Sequence, residues 1–230
     1  FYLFCFPSFG QDTLFPSKQS TIGNRTHTSR DDLNTALFDT EQNLYLVGST
    51  ENDFSYNDIT ILKLNRDLDV IWEKSLSFET RFSYDRVIKA YMNKKDELII
   101  VCKSAFNKFS ETPVVVKVDK SGNLLWQRAF ENLSDPLGMM GSRVFSSLAL
   151  NEDLTIGFKR NDQKQESPFV LYKIAPNGQI IDQNPIEELS GTERFPITPI
   201  SSDGTFHYAV TRYYDENNDP RISYSLLRFN

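Results

Sequence analysis

Residues 215–220, with the sequence DENNDP, carry a dense run of oxygen ligands. Carboxylate and amide side chains recur there at alternate positions, the arrangement that binds Ca²⁺ in loop sites. Pro220, however, stands where such loops have a glycine, and no glutamate follows at the distance that a bidentate ligand needs. We therefore expect a solvated hairpin loop and no metal site.

Residue types suited to nucleophilic or zinc chemistry are sparse and poorly spaced. His27 and His207 are the two histidines, and neither has the spacing of a zinc ligand. No Gly-x-Ser-x-Gly elbow is present, and Asp119 precedes Gly122 by three residues rather than the two of a sialidase Asp box. The sequence cannot select a carboxylate pair for glycoside hydrolysis from its 31 acidic residues. It thus assigns no catalytic, cofactor-binding or metal-ligating residue and predicts no cofactor.

Two tryptophans and four basic residues could form a binding surface, because aromatic faces and cations are common ligand contacts. Trp72 and Trp126 occupy equivalent places in a repeating pattern, which favours packing between repeats. We expect each basic residue to lie at a strand end with its stem on apolar surface, or to stack on an aromatic ring. These residues are Lys63, Lys117, Lys173 and Arg228.

The element that positions these side chains is a repeating unit of about 55 residues. The basic residue recurs at intervals of 54, 56 and 55 residues. A second landmark, a polar turn followed by an apolar strand, keeps the same period at 43–48, 97–102, 153–158 and 205–210. Each unit is predicted as strand, tight turn, strand, longer loop, strand, tight turn and strand.

The third strand of each unit discriminates between all-β architectures. Residues 114–118, VVVKV, are apolar on both faces, whereas an antiparallel strand with one wet face alternates. Burial of both faces requires a sheet on either side, which stacked blades supply and a two-sheet sandwich does not. We therefore predict an all-β fold, a β-propeller of four-stranded antiparallel blades with about four repeats.

The predicted boundaries follow from the repeat. Residues 1–10 are almost entirely apolar and are interpreted as the remnant of a signal peptide, and 11–30 as a polar lead-in. The propeller repeats then occupy 31–230, at about 31–84, 85–140, 141–192 and an incomplete 193–230. Either 11–30 supplies the missing last strand, or the chain is a fragment of a larger propeller; we favour the fragment.

Composition limits the partners. The net charge is −6, and no basic block is present that could follow a phosphate backbone, so nucleic acid is not expected. The apolar start is too short for a membrane span. Cys102 lies in an apolar strand and is predicted as a small buried hydrophobe. With the signal segment, these features predict a secreted, periplasmic or cell-surface protein.

The repeat resembles the propeller repeats of secreted bacterial surface proteins, in which a strand ending in Lys-Leu/Val-Asp precedes a Gly-Asn turn and a strand ending in Trp. Residues 117–126, KVDKSGNLLW, carry this pattern best. Residues 63–72 have Leu68 in place of the glycine, and 173–182 have Asp182 in place of the tryptophan. The pattern is also similar to the tryptophan motif of pyrroloquinoline-quinone enzymes, where the ring packs on the neighbouring blade. The adjacent cysteine pair of those enzymes is absent, so the resemblance implies a non-catalytic relative.

The expected function is a non-catalytic extracellular or cell-surface binding or adhesion module. The longer loops, at about 49–57, 103–112, 159–167 and 212–220, are rich in Asn, Asp, Ser, Tyr and Phe, which suits carbohydrate or protein contacts. A glycan-directed propeller enzyme is one alternative, and it requires two carboxylates in a cleft, one with a raised pKa. An assembly scaffold is the other, and it requires an exposed apolar patch or sheet edge.

Overall fold

The computed structural model describes residues 31–51, 57–76, 84–107, 110–130, 144–159, 169–186, 197–198, 206–214 and 220–228. Every regular element in these ranges is a β-strand, which confirms the predicted all-β class. The strands are β1 Asp31–Phe38, β2 Leu44–Glu51, β3 Asn57–Leu64, β4 Val70–Leu76, β5 Tyr84–Met92, β6 Leu98–Asn107, β7 Ser110–Val118, β8 Leu124–Ala129, β9 Phe145–Leu148, β10 Leu154–Lys159, β11 Phe169–Ile174, β12 Ile180–Ile186, β13 Ile197–Thr198, β14 Phe206–Tyr214 and β15 Pro220–Arg228. In these same ranges, no helix has the length and apolar character to cross a membrane.

Consecutive strands pair antiparallel to form four-stranded sheets. Strands β1–β4, β5–β8 and β9–β12 each form such a sheet in chain order, and β13–β15 form a three-stranded one. The first two sheets are joined at a single parallel bridge between Asn57 and Tyr84. The predicted four-stranded antiparallel units are therefore present in three copies.

Six tight turns with one shared geometry join the first to the second and the third to the fourth strand of the three four-stranded sheets. In each, the N–H of the first residue donates to the carbonyl of the fifth, and the N–H of the fourth donates to the carbonyl of the first. The fourth residue is left-handed, as in a type I turn closed by a bulge. It is Gln42, Leu68, Asp96, Gly122, Glu152 and Gly178 in chain order.

The first residue explains why a non-glycine is tolerated at several of these left-handed positions. The side-chain oxygens of Asp39, Asn65, Asn93 and Asp119 each accept hydrogen bonds from the backbone N–H groups two and four residues later. Such side-chain bonds mimic backbone turns and hold the loop in place. These four turns are thus held by their first residue, and only the turn at 119–123 also has a glycine at the left-handed position.

The sheets stack face to face, and the β5–β8 sheet is buried on both sides. One core cluster joins Val47 and Ile61 of the first sheet to Leu98, Ile100 and further residues of the second. Another joins residues of opposite parity, Ile99 and Val101 of β6, to Ile156 and Phe158 of the third sheet. The apolar character of both faces of 114–118 has the same cause, since all five residues are buried.

The first strand of each following sheet makes contacts to the sheet before it. Strand β1 contacts β5, and β5 contacts β9. The fourth strands β4 and β8 are instead exposed over most of their length. The first strands therefore form the inner edge of the stack and the fourth strands its outer edge.

Candidate functional site

The repeated lysines are engaged in ion pairs at the interfaces between sheets. Lys63 Nζ lies 3.0 Å from Asp39 Oδ2, 4.9 Å from the centre of the Tyr45 ring and 3.5 Å from the backbone carbonyl of Lys120 in the next sheet. Lys63 and Asp39 are both buried. The carboxylate of Asp39 in the same sheet thus neutralises the Lys63 ammonium group, and the Lys120 carbonyl of the neighbouring sheet accepts a hydrogen bond from it.

The same arrangement recurs one sheet further along. Lys117 Nζ lies 2.6 Å from Glu97 Oε2 and donates to the carbonyl of Pro176 at 3.1 Å. Lys173 pairs with Asp153 at 3.2 Å, but 46% of its side chain is exposed. Lys63 and Lys117 are therefore both occupied by structural contacts. Lys63 lies over an aromatic ring, as expected for these residues, but the buried ion pairs of both lysines with carboxylates were not predicted.

Those partners were obscured by an exchange of positions within the turn. In the first sheet the acid, Asp39, is the first turn residue, and the amide of Asn43 at the fifth donates to it at 2.9 Å. In the second sheet the amide, Asn93, is first and donates to the acid Glu97 at the fifth, at 2.8 Å. Both turns therefore have an acid and an amide at the first and fifth positions, but the order of the two residues is reversed, which hid the pattern in the sequence.

The pKa values of the carboxyls follow from these contacts. Burial alone would raise the pKa of Asp39, but hydrogen bonds from Asn43 and Lys63 bring it below its usual value. The pKa of Glu97 is also lowered, since Lys117 and Asn93 outweigh burial. Hydrogen bonds to Tyr45 and Asp39 raise the pKa of Lys63 against the effect of its burial. The two carboxylates therefore stabilise the fold at neutral pH, and this contribution is lost as the pH falls through their lowered pKa values.

Each tryptophan of the repeat packs on a turn of the following sheet. Trp72 Nε1 donates to the Lys120 carbonyl at 3.3 Å and Trp126 Nε1 to the Pro176 carbonyl at 3.1 Å. A Cβ built on Gly122 would lie 3.2 Å from the Trp72 ring, and one on Gly178 would lie 2.7 Å from the Trp126 ring. The turn glycine is therefore needed both for its left-handed backbone and for the close approach of the ring.

The turns between first and second strands are linked in the same direction. Asp96 accepts the N–H and the hydroxyl of Thr40 at 2.8 and 2.5 Å. Glu152 accepts the backbone N–H of Lys94 at 3.3 Å and the amide of Asn93 at 3.2 Å. Asp96 and Glu152 occupy the left-handed position of their own turns. Each of them therefore also accepts hydrogen bonds from the corresponding turn of the preceding sheet.

All six turns lie at one end of the sheets, which we call the turn end. The strand ends that flank the longer connections lie at the other, which we call the loop end. Strands β6 and β7 extend through most of the predicted loop at 103–112, so their connection comprises residues 108–109 only. The predicted loops at 49–57, 159–167 and 212–220 fall largely outside the described residues. Their flanking strands end at Glu51, Lys159 and Tyr214.

Buried polar side chains lie toward the loop end of the first interface. Asp85, which is fully buried, stands opposite Ser104 on β6. Ser49 of the first sheet accepts the N–H of Val87 at 3.2 Å. Sequence reasoning missed Asp85, although an acid in the otherwise apolar alternation of β5 was its signal.

The remaining candidate residues are Cys102, the two histidines and the run of oxygen ligands at 215–220. Cys102 is fully buried, donates to the Val114 carbonyl at 3.3 Å, and has a pKa well above the usual value because of burial and the nearby Asp85. His207 lies on β14 as predicted, whereas His27 and 215–219 are outside the described residues. Across the described part of the chain, no group of three metal-ligating side chains is found.

No family model matches the chain, and no curated protein matches it.

Proposed function

We propose that the chain is a non-catalytic extracellular or cell-surface binding module built as a β-propeller, and that it binds a carbohydrate or a protein at its loop end. Two observations on the described residues support this proposal, the stacking of the sheets and the contacts that occupy the turn end.

Stacking supports the propeller. A sheet that is covered on both faces, with first strands converging and fourth strands exposed, has the arrangement of a blade between two others. Trp72 and Trp126 dock in the same direction along the chain. Sheets that dock on one another in a constant direction are arranged radially about their inner edges. A propeller has this radial arrangement, continued until the ring of sheets closes.

The proposal that a ligand binds at the loop end rests on the side chains at the turn end, which are already engaged in contacts between sheets. Lys63, Lys117, Trp72 and Trp126 are the side chains best suited to hold a ligand, and all four contact the neighbouring sheet. Asp39 and Glu97 are engaged by the lysines. The turns thus serve the contacts between sheets, whereas the connecting segments at the loop end differ from unit to unit in sequence, as specificity-determining loops do.

A glycan array tests the proposal through residues 52–56, NDFSY. We expect the labelled chain to bind a restricted set of glycans. Phe54→Ala with Tyr56→Ala should weaken that binding about tenfold or more, because aromatic contacts contribute about 0.5–1.5 kcal/mol each. The control is Asp67→Ala on an exposed turn at the opposite end, which should leave binding unchanged.

Two outcomes would contradict the proposal. Loss of binding in Asp67→Ala with retention in the aromatic variant would place the site at the turn end. Release of cleaved products from a bound glycan would show an enzyme instead of a binding module. If no glycan binds, the same pair of variants is applied to a protein ligand on an array of extracellular domains, and absence of binding there as well would reject the proposal.

A further inference from the structure

Exposed apolar side chains are concentrated at the turn end. Among the large apolar residues that are exposed in the described ranges, all but Leu33 lie within a turn or within two residues of one. They are Phe38, Val70, Ile71, Leu124, Leu125, Leu150 and Ile181. Single exposed apolar residues need no explanation, but a set that gathers at one end of a molecule indicates a contact surface.

The apolar pairs recur at the start of each fourth strand, on the outer edge. Val70–Ile71 and Leu124–Leu125 occupy equivalent positions, directly after the turns 65–69 and 119–123. The third sheet has Ile180–Ile181 in the same place. Docking to the next sheet does not account for these residues, because the contacts to the following turns are made by other side chains, among them Trp72, Trp126, Lys63 and Lys117.

Charge separates the turns of the first two sheets. In the first sheet's turns the exposed charged residues are Glu41, Arg66, Asp67 and Asp69, which are net negative. In the second sheet's turns Glu97 is neutralised by Lys117. The exposed lysines there, Lys94, Lys95 and Lys120, outnumber the half-buried carboxylates Asp96 and Asp119, so these turns are net positive. An acidic patch and a basic patch therefore lie side by side at the turn end, each next to an exposed apolar pair.

We infer that the turn end binds the turn end of a second copy of this chain, about a two-fold axis between the first and second sheets. Such an axis places the first sheet of one copy on the second sheet of the other, twice, as an isologous interface requires. Each acidic patch then meets a basic one, and Val70–Ile71 meets Leu124–Leu125. A partner of uniform charge would be repelled by one of the two patches, whereas the chain complements itself.

Charge reversal gives a test that distinguishes this interface from simple loss of folding. One variant carries Lys95→Glu and Lys120→Glu, and the other carries Glu41→Lys and Asp67→Lys. Sedimentation of the 230-residue chain should show a dimer whose dissociation increases with salt. Each variant alone should dimerise at least tenfold more weakly, because it brings like charges together at both contacts.

An equimolar mixture of the two variants should restore the dimer, since every contact in the mixed species again joins opposite charges. Glu73→Lys, an exposed reversal within β4 and away from the turns, should leave the dimer unchanged. Protection of Cys102 from a thiol reagent, in a Cys5→Ser background, verifies that each variant is folded. A wild-type chain that stays monomeric at high micromolar concentration would overturn the inference, as would two weakened variants whose mixture does not recover. Neither result bears on ligand binding at the loop end.

Discussion

Replacing Lys63 with Met lowers the free energy of unfolding by about 3 kcal/mol, because it leaves the carboxylate of Asp39 buried without its cation. The side chain of Asp39 is 2% exposed, so water cannot replace the ammonium group. The neutral side chain also leaves the carbonyl of Lys120 with fewer donors. Urea unfolding followed by circular dichroism measures the change.

Lys173→Met is the matched control, since Lys173 occupies the equivalent position but is 46% exposed. We expect a loss below about 1 kcal/mol, which is typical of solvated ion pairs. Adding Asp39→Asn to Lys63→Met should recover part of the stability, because an amide is less costly to bury than a charge. Equal losses for the two lysines, or no recovery in the double variant, would show that the Lys63 pair is not the buried contact described above.

Replacing Gly178 with Ala should destabilise the chain by about 2–3 kcal/mol through two separable effects, backbone strain and overpacking. The backbone of Gly178 has φ +85°, which costs an alanine roughly 1 kcal/mol. The added Cβ also lies 2.7 Å from the Trp126 ring, so the ring must move from its place on the turn. The same unfolding measurement gives the sum of both effects.

The packing part is isolated by a double-mutant cycle with Trp126→Ala. In that background Gly178→Ala should cost only the roughly 1 kcal/mol of backbone strain, since no ring remains to be displaced.

Gln42→Gly is a control in which a glycine is introduced instead of removed. It relaxes a left-handed non-glycine residue that is exposed, so stability should stay equal or rise by up to about 1 kcal/mol. Additive losses for Gly178→Ala and Trp126→Ala would contradict the docking of the ring on the turn.

The sequence was sufficient where a local pattern determines the structure. The strands, the turn glycines at 122 and 178, and the burial of both faces at 114–118 follow from residue type and spacing. Left-handed residues at Gln42 and Asp96 could not be predicted, because the Asx side chain at the first turn position holds the backbone in place. Glu152, whose turn begins at Ala149, is instead bonded to Asn93 and Lys94 of the preceding sheet. Glycine is then no longer required.

The sequence predicted that tryptophan side chains pack between sheets, but it did not predict the ion pairs of the neighbouring lysines. The equivalent positions of Trp72 and Trp126 indicated packing between units, and the structure shows each ring on the following turn. The carboxylate partners of Lys63 and Lys117 were missed, because the acid and amide exchange places between the first and fifth turn residues. Asp85 was missed because its burial depends on the stacking of the first two sheets, which no local pattern contains.

Hydrogen–deuterium exchange followed by mass spectrometry tests the stacking of the sheets most directly. If β5–β8 is enclosed by a sheet on each face, peptides from β2, β6 and β10 should exchange last and with similar protection, because they open together as one cooperative unit. Peptides from the outer strands β4 and β8 should exchange earlier. Exchange of β6 as fast as that of β8, or a separate exchange rate for each sheet, would show that the sheets do not form one stacked body and would contradict the propeller.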